Sequence, residues 1–146
     1  MTMMRSLFRT KTRRFAGLGA WAALAGLLLG TLVVPASARA PELAMLNGLQ
    51  DGRWELRMRD DGSRSHVCLR SGRELIQIRH SQLTCKRFVV NDGPSEVTVQ
   101  YTCPGHGYGN TTIRRETAQL VQINSQGIEG GAPFHFNAEA RRVGGC

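Results

Sequence analysis

Every cysteine of this chain, Cys68, Cys85, Cys103 and Cys146, stands beyond an N-terminal segment of export type. An even number of cysteines in a small exported body predicts a disulfide framework, and each bridge forbids folds that keep its two sulfurs apart. Compartment, redox state and much of the stability argument follow from that one feature.

The segment in front has the parts of a secretory signal. Arg5, Arg9, Lys11, Arg13 and Arg14 come first, with no acid among them. An apolar run from Ala16 to Val34 follows, then Pro35-Ala-Ser-Ala-Arg-Ala40. A basic start, an apolar stretch and a small-residue A-x-A site make a cleavable signal peptide. A cut after Ala40 would leave Pro41 next to the scissile bond, so cleavage is expected after Ala38. The apolar run is about as long as the roughly 18 residues that can span a bilayer; Pro35 and the small residues behind it favour cleavage over anchoring. Thr12-Arg13-Arg14-Phe15 partly matches a twin-arginine signal, so the export route stays open. The expectation is a signal peptide over 1–38 and a single β-domain over 39–146, periplasmic or secreted and without a membrane anchor once cleaved.

Removing the first 38 residues changes the charge reading. Five of the 19 basic residues leave and none of the 11 acidic ones, so the formal charge falls from +8 to +3. A nucleic-acid-binding domain clusters its basic residues on one face with aromatics between them. Here the arginines are scattered among six aromatics, Trp54, Phe88, Tyr101, Tyr108, Phe134 and Phe136. No nucleic-acid partner is expected.

Period-two alternation dominates the remaining chain. Trp54, Leu56 and Met58 alternate with Arg53, Glu55, Arg57 and Arg59, as in a half-buried strand. Asp60-Asp61-Gly62-Ser63 is a turn, and Arg64 to Leu69 returns. Ser71 with Glu74 three residues on has capping-box spacing and predicts a short helix over Ser71 to Ile78. Thr84 to Val90 and Glu96 to Cys103 flank the turn cluster at 91–95 and predict a hairpin. Thr111 to Thr117, Gln119 to Asn124 and Phe134 to Arg142 add three strands, with turns at Gln126-Gly127 and Gly130-Gly131. The fold class is all-β: a single antiparallel meander of about seven strands, curved or partly closed toward a barrel, with one short helix and disulfide staples.

Four cysteines allow three connectivities. The hairpin places Cys85 and Cys103 nearly opposite each other, which leaves Cys68 with Cys146. One detail resists this pairing. Cys85 would share its face with Arg87 while Phe88 and Val90 point away, which demands a bulge or a mixed face.

Gly52-Arg53-Trp54-Glu55, the Cys68-Leu69 pair before a short polar helix, the cysteines about the hairpin, and Arg142-Val143-Gly144-Gly145-Cys146 occur in that order. This set resembles a bacterial exported family, domain of unknown function 3617, over residues 52–146. The resemblance implies an exported β-domain. It brings no established activity, so no catalytic residue carries over.

The remaining constellations are short. Cys103-Pro-Gly-His106, with His66 two residues before Cys68, has zinc-like spacing. Structural zinc takes close pairs of ligands, and export favours oxidation, so neither a metal nor any other cofactor is expected. Gly105-His-Gly-Tyr-Gly109 lacks the following helix of a phosphate loop. It reads as a mobile turn or as a binding rim carrying His106 and Tyr108. Asn110-Thr111-Thr112 is a formal glycosylation sequon. No serine stands beside a base in sequence. The expectation is a non-enzymatic exported binding domain for a small apolar ligand, with an envelope protein-interaction module or an inhibitor of a wall-degrading enzyme as the alternative. A hydrolase using His106 or His135 is the alternative of another class.

Overall fold

The computed structural model describes residues 43–146; the expected signal peptide and its cleavage site lie outside them. The alternating segments become strands β1 (Gly52–Met58), β2 (Arg64–Leu69), β3 (Lys86–Asp92), β4 (Glu96–Cys103), β5 (Gly107–Thr117), β6 (Leu120–Glu129) and β7 (Ala132–Gly144). One helical turn, α1 (Ala44–Asn47), precedes them. All pairings are antiparallel, in the order β2-β1-β7-β6-β5-β4-β3. The sheet is open, with β2 and β3 at its two edges.

That order gives the connection between β2 and β3 a structural task. It must carry the chain from one edge of the sheet to the other. Leu75, Ile76, Gln77 and His80 of this crossover are buried together with Trp54, Leu56, Val97, Val99, Tyr101, Ile113, Val121 and Ile123. The crossover therefore covers the inner face of the sheet, and α1 adds Met45 and Leu46 to the same core. The short helix expected over Ser71 to Ile78 takes the form of two 3-10 turns, Arg73–Leu75 and Ile78–His80. Only the glutamate half of its capping spacing operates: the Glu74 carboxylate accepts from the Arg70 and Ser71 amides at 3.2 and 3.4 Å, while Gly72, not Ser71, stands at the N-cap and no side chain caps the turn. A 3-10 turn is the tighter solution where a connector must also change direction.

Polar groups fasten the crossover as well as apolar ones. Thr111 Oγ1 donates to the Ile76 carbonyl at 2.7 Å. Gln77 Nε2 donates to the carbonyls of His80 and Leu83 at 2.9 and 2.8 Å. Arg87 Nη2 donates to Gln77 Oε1 at 2.7 Å, and burial pulls this guanidinium below its ordinary range. This accounts for the mixed face of the hairpin. Arg87 stands opposite Tyr101 on the inner side because the crossover supplies its acceptor, while Phe88 is turned outward and 69% exposed. The bulge also exists, between Val89 and Asn91.

Both disulfides follow the hairpin logic. Cys85 bonds Cys103, with Cα atoms 4.3 Å apart, and Cys68 bonds Cys146 at 5.8 Å. Arg53 of β1 pairs with Cys68 on one side and Gly144 on the other. The outer bridge thus ties the tail behind β7 to edge strand β2 across β1.

Two turn expectations are corrected. Gln126-Gly127 lies inside β6, and Gly107 to Asn110 belongs to β5, paired with both β4 and β6. The glycines mark a crowded stretch of strand. A β-carbon on Gly109 would stand 2.5 Å from Cζ and 2.7 Å from Cε1 of Tyr101, and one on Gly127 would meet the Tyr108 carbonyl oxygen. Glycine inside a strand marks such close approaches.

Candidate functional site

The outer face of the sheet is the side left uncovered by the crossover. Its residues are fixed by parity. On β5, Gly109, Thr111 and Ile113 face the core, so Tyr108, Asn110, Thr112 and Arg114 face outward. The same count turns Gln100 outward on β4, Gln122, Asn124 and Gln126 on β6, and His135, Asn137 and Glu139 on β7.

Register then assembles cross-strand rows. Gln100 stands beside Asn110, Asn110 beside Gln126, and Gln126 beside His135. Phe88 of β3 extends this row at the Gln100 end. The adjacent row is Thr98, Thr112, Asn124 and Asn137, which bonds within itself: Thr98 Oγ1 to Thr112 Oγ1 at 3.0 Å, and Asn124 Nδ2 to Asn137 Oδ1 at 2.7 Å. Beyond it the surface is charged. Arg59 Nη2 donates to Gln122 Oε1 at 2.6 Å, and Arg114 pairs with Glu116 at 2.7 Å. Arg64 pairs with Glu55 at 3.3 Å and Arg141 with Glu139 at 3.4 Å, while Arg79 of the crossover pairs with Glu129 at 3.1 Å beside the His106 turn. Such exposed pairs contribute little to stability. They do leave the arginine charge distributed rather than gathered on one side.

The structure separates the two residues read as a binding rim. Tyr108 is 50% exposed on the outer face and borders a hollow of about 560 Å³ with Gln100, Asn110, Gln126 and Pro133. His106 sits in the β4–β5 turn and borders a different hollow of about 260 Å³, with Arg79, His80, Leu83 and Glu129. The His106 carbonyl accepts from the Gly130 amide at 3.0 Å, so the backbone of this turn is held even where its side chain is exposed. His135 is exposed on β7, with Nε2 3.4 Å from Asn124 Nδ2.

A chain of buried polar groups, not foreseen from the sequence, lies beneath this end of the sheet. Tyr101 Oη is 3.2 Å from His80 Nδ1, and Ser125 Oγ is 2.7 Å from Thr111 Oγ1. His80 Nε2 faces the His106 carbonyl at 3.4 Å and must donate there, since a carbonyl only accepts. In the neutral ring this makes Nδ1 the acceptor of the Tyr101 hydroxyl proton. Burial raises the Tyr101 phenol above its ordinary value; the polar Ser125 side chain opposes this, Glu129 adds to it, and Arg79 opposes it. Ser125 is buried and its hydroxyl is engaged by Thr111. The signal that could have revealed the chain is the polar character of Thr111 and Ser125 at inward positions of β5 and β6.

All four cysteines are consumed by disulfides, so Cys103 offers no thiolate to accompany His106. Among the described residues no group of three or more histidine, cysteine, aspartate or glutamate side chains is placed to hold a metal ion, and no helix is long and apolar enough to cross a membrane. Comparison with known protein families, curated proteins and solved structures finds no match to this chain.

Proposed function

We propose that this protein is an exported, non-enzymatic binding domain of the family it resembles, and that it engages its partner through the outer face of the sheet at the Tyr108 end. The carrying observation is the contrast between the two faces. The inner face carries the core, with Trp54, Tyr101 and Phe136 packed together with the crossover residues. The outer face offers the hollow of about 560 Å³ beside a half-exposed tyrosine. Binding residues commonly stand on a rigid scaffold, and here they stand on strands paired on both sides. Periplasmic or secreted placement is supported by the signal-like N-terminus and the two disulfides, which persist in oxidising compartments.

In-cell photo-crosslinking tests the reading. A photoreactive residue at position 108 should yield a discrete adduct that one at position 64, on edge strand β2, does not. Adduct yields equal at both positions, or absent at 108, would overturn it.

A further inference from the structure

We infer that the Tyr108 hollow takes a neutral saccharide chain, lying across the strands along the row Phe88, Gln100, Asn110, Gln126 and His135. This deepens the proposed outer-face reading and rests on it.

Three observations carry the inference. The first is hydrogen-bond satisfaction. In the neighbouring row, the polar side chains bond to one another. Among the described residues, none bonds the side-chain amides of Gln100, Asn110 or Gln126. Three amides from three adjacent strands therefore present donors and acceptors together at one hollow. A planar amide can donate and accept at once, which suits vicinal sugar hydroxyls that also do both.

The second observation is charge. The row holds no carboxylate, lysine or arginine, and no charged side chain borders the hollow; Lys86 stands one row away at the β3 edge, opposite Thr102, and Glu96, Arg114 and Glu139 stand two rows away on the other side. An anionic or cationic ligand would find no counter-charge in the row. A neutral polyol loses nothing there.

The third is apolar surface in the right place. Tyr108 precedes Asn110 at the two-residue spacing that keeps side chains on one face, and Phe88 closes the row beyond Gln100. Sugars present an apolar C–H face as well as hydroxyls, and exposed rings provide the matching platform. This also gives a reason for the 69% exposure of Phe88, which packing does not supply. Neighbouring strands stand about 4.8 Å apart, close to the length of one sugar unit in an extended chain, so successive units would meet successive strands.

The test is calorimetric titration of the protein, purified as exported, with cellotetraose and with the tetramer of N-acetylglucosamine. Oligogalacturonate serves as the anionic probe. One or both neutral tetrasaccharides should bind. Tyr108→Ala should weaken that binding by about tenfold and Gln126→Ala by at least about threefold, as expected for a lost platform and a lost polar partner. Gln122→Ala, outside the row, should leave it unchanged, and all three variants should melt within a few degrees of the parent. Absence of binding to both neutral probes, binding to the anionic probe alone, or binding indifferent to Tyr108 and Gln126 would overturn the saccharide assignment. If crosslinking at position 108 still yields its adduct in those cases, the outer-face reading survives and only the ligand class falls. If the adduct is a polypeptide and no saccharide binds, the face is a protein-docking surface. Loss of both adduct and saccharide binding would remove both readings.

Discussion

Gly109→Ala should be among the most damaging single-methyl additions in this domain. The added β-carbon would lie 2.5 Å from Cζ and 2.7 Å from Cε1 of Tyr101, far inside ordinary carbon contact. The ring cannot readily yield. It is 1% exposed, and its hydroxyl is bonded to His80, whose ring packs edge-on at 5.4 Å. Overpacking of this kind costs about 1–3 kcal/mol. Displacing the hydroxyl strands buried partners at about 1–3 kcal/mol more. The reduced freedom of the unfolded chain returns about 0.4–1 kcal/mol. The net expectation is roughly 2–4 kcal/mol, or a fall in Tm of roughly 8–20 °C for a domain of this size. Urea unfolding with both disulfides intact measures it. Tyr101→Leu supplies the second arm of a double-mutant cycle, because it removes the ring that the new methyl would strike. In that background Gly109→Ala should cost at least about 1 kcal/mol less. A change below about 0.5 kcal/mol in the parent, or the same loss with and without the ring, would refute the argument that glycine here makes room for tyrosine.

Three further outcomes follow from the same structure. Replacing Cys68 and Cys146 together by alanine opens a loop with a sequence separation of 78; chain entropy then predicts a loss of about 4.5 kcal/mol. Faster hydrogen exchange should appear in β2 and the end of β7, and a loss under about 1 kcal/mol would show that the strap is redundant. The Tyr101 phenol is raised by burial, so the folded state holds its proton after the unfolded state has released it. Stability from this group is complete below about pH 10 and is lost as pH rises through the folded value; Tm should therefore fall more steeply above pH 10 in the parent than in Tyr101→Phe, and parallel curves would count against the assignment. Finally, His106→Ala combined with Tyr108→Ala should change stability by less than about 1 kcal/mol, since both side chains are exposed. A loss of about 3–5 kcal/mol, the scale for a buried aromatic, would place Tyr108 in the scaffold instead.

What was legible in the sequence, and what was not, divides along a physical line. Alternation is a local property, so β2 and β4 emerge with the bounds read from Arg64 to Leu69 and Glu96 to Cys103, and the inward set Trp54, Leu56, Val97 and Val99 forms the core. The Cys85–Cys103 bridge was legible because one hairpin brings both residues together. Pairing between distant strands is not local. The side-by-side placement of Gln100, Asn110 and Gln126 depends on two registers at once, and a slip of one residue would turn an amide inward. Each amide alone reads as an ordinary solvated residue; only the register makes them a row. The glycine-dense segment divides for a related reason: Gly105 and His106 form the expected turn, while Gly107 to Gly109 are strand. Glycine signals conformational freedom when nothing is known of its surroundings, yet at Gly109 the relevant fact is a ring from another strand. The site proposed here rests on that same ring from its other side. Tyr101 fills the interior behind β5, anchors to His80, and holds the strand on which Tyr108 and Asn110 are displayed. A change that loosens Tyr101 should therefore disturb the outer row as well as the core, and a binding defect in Tyr101→Phe would have to be separated from its stability loss before it is assigned to the site.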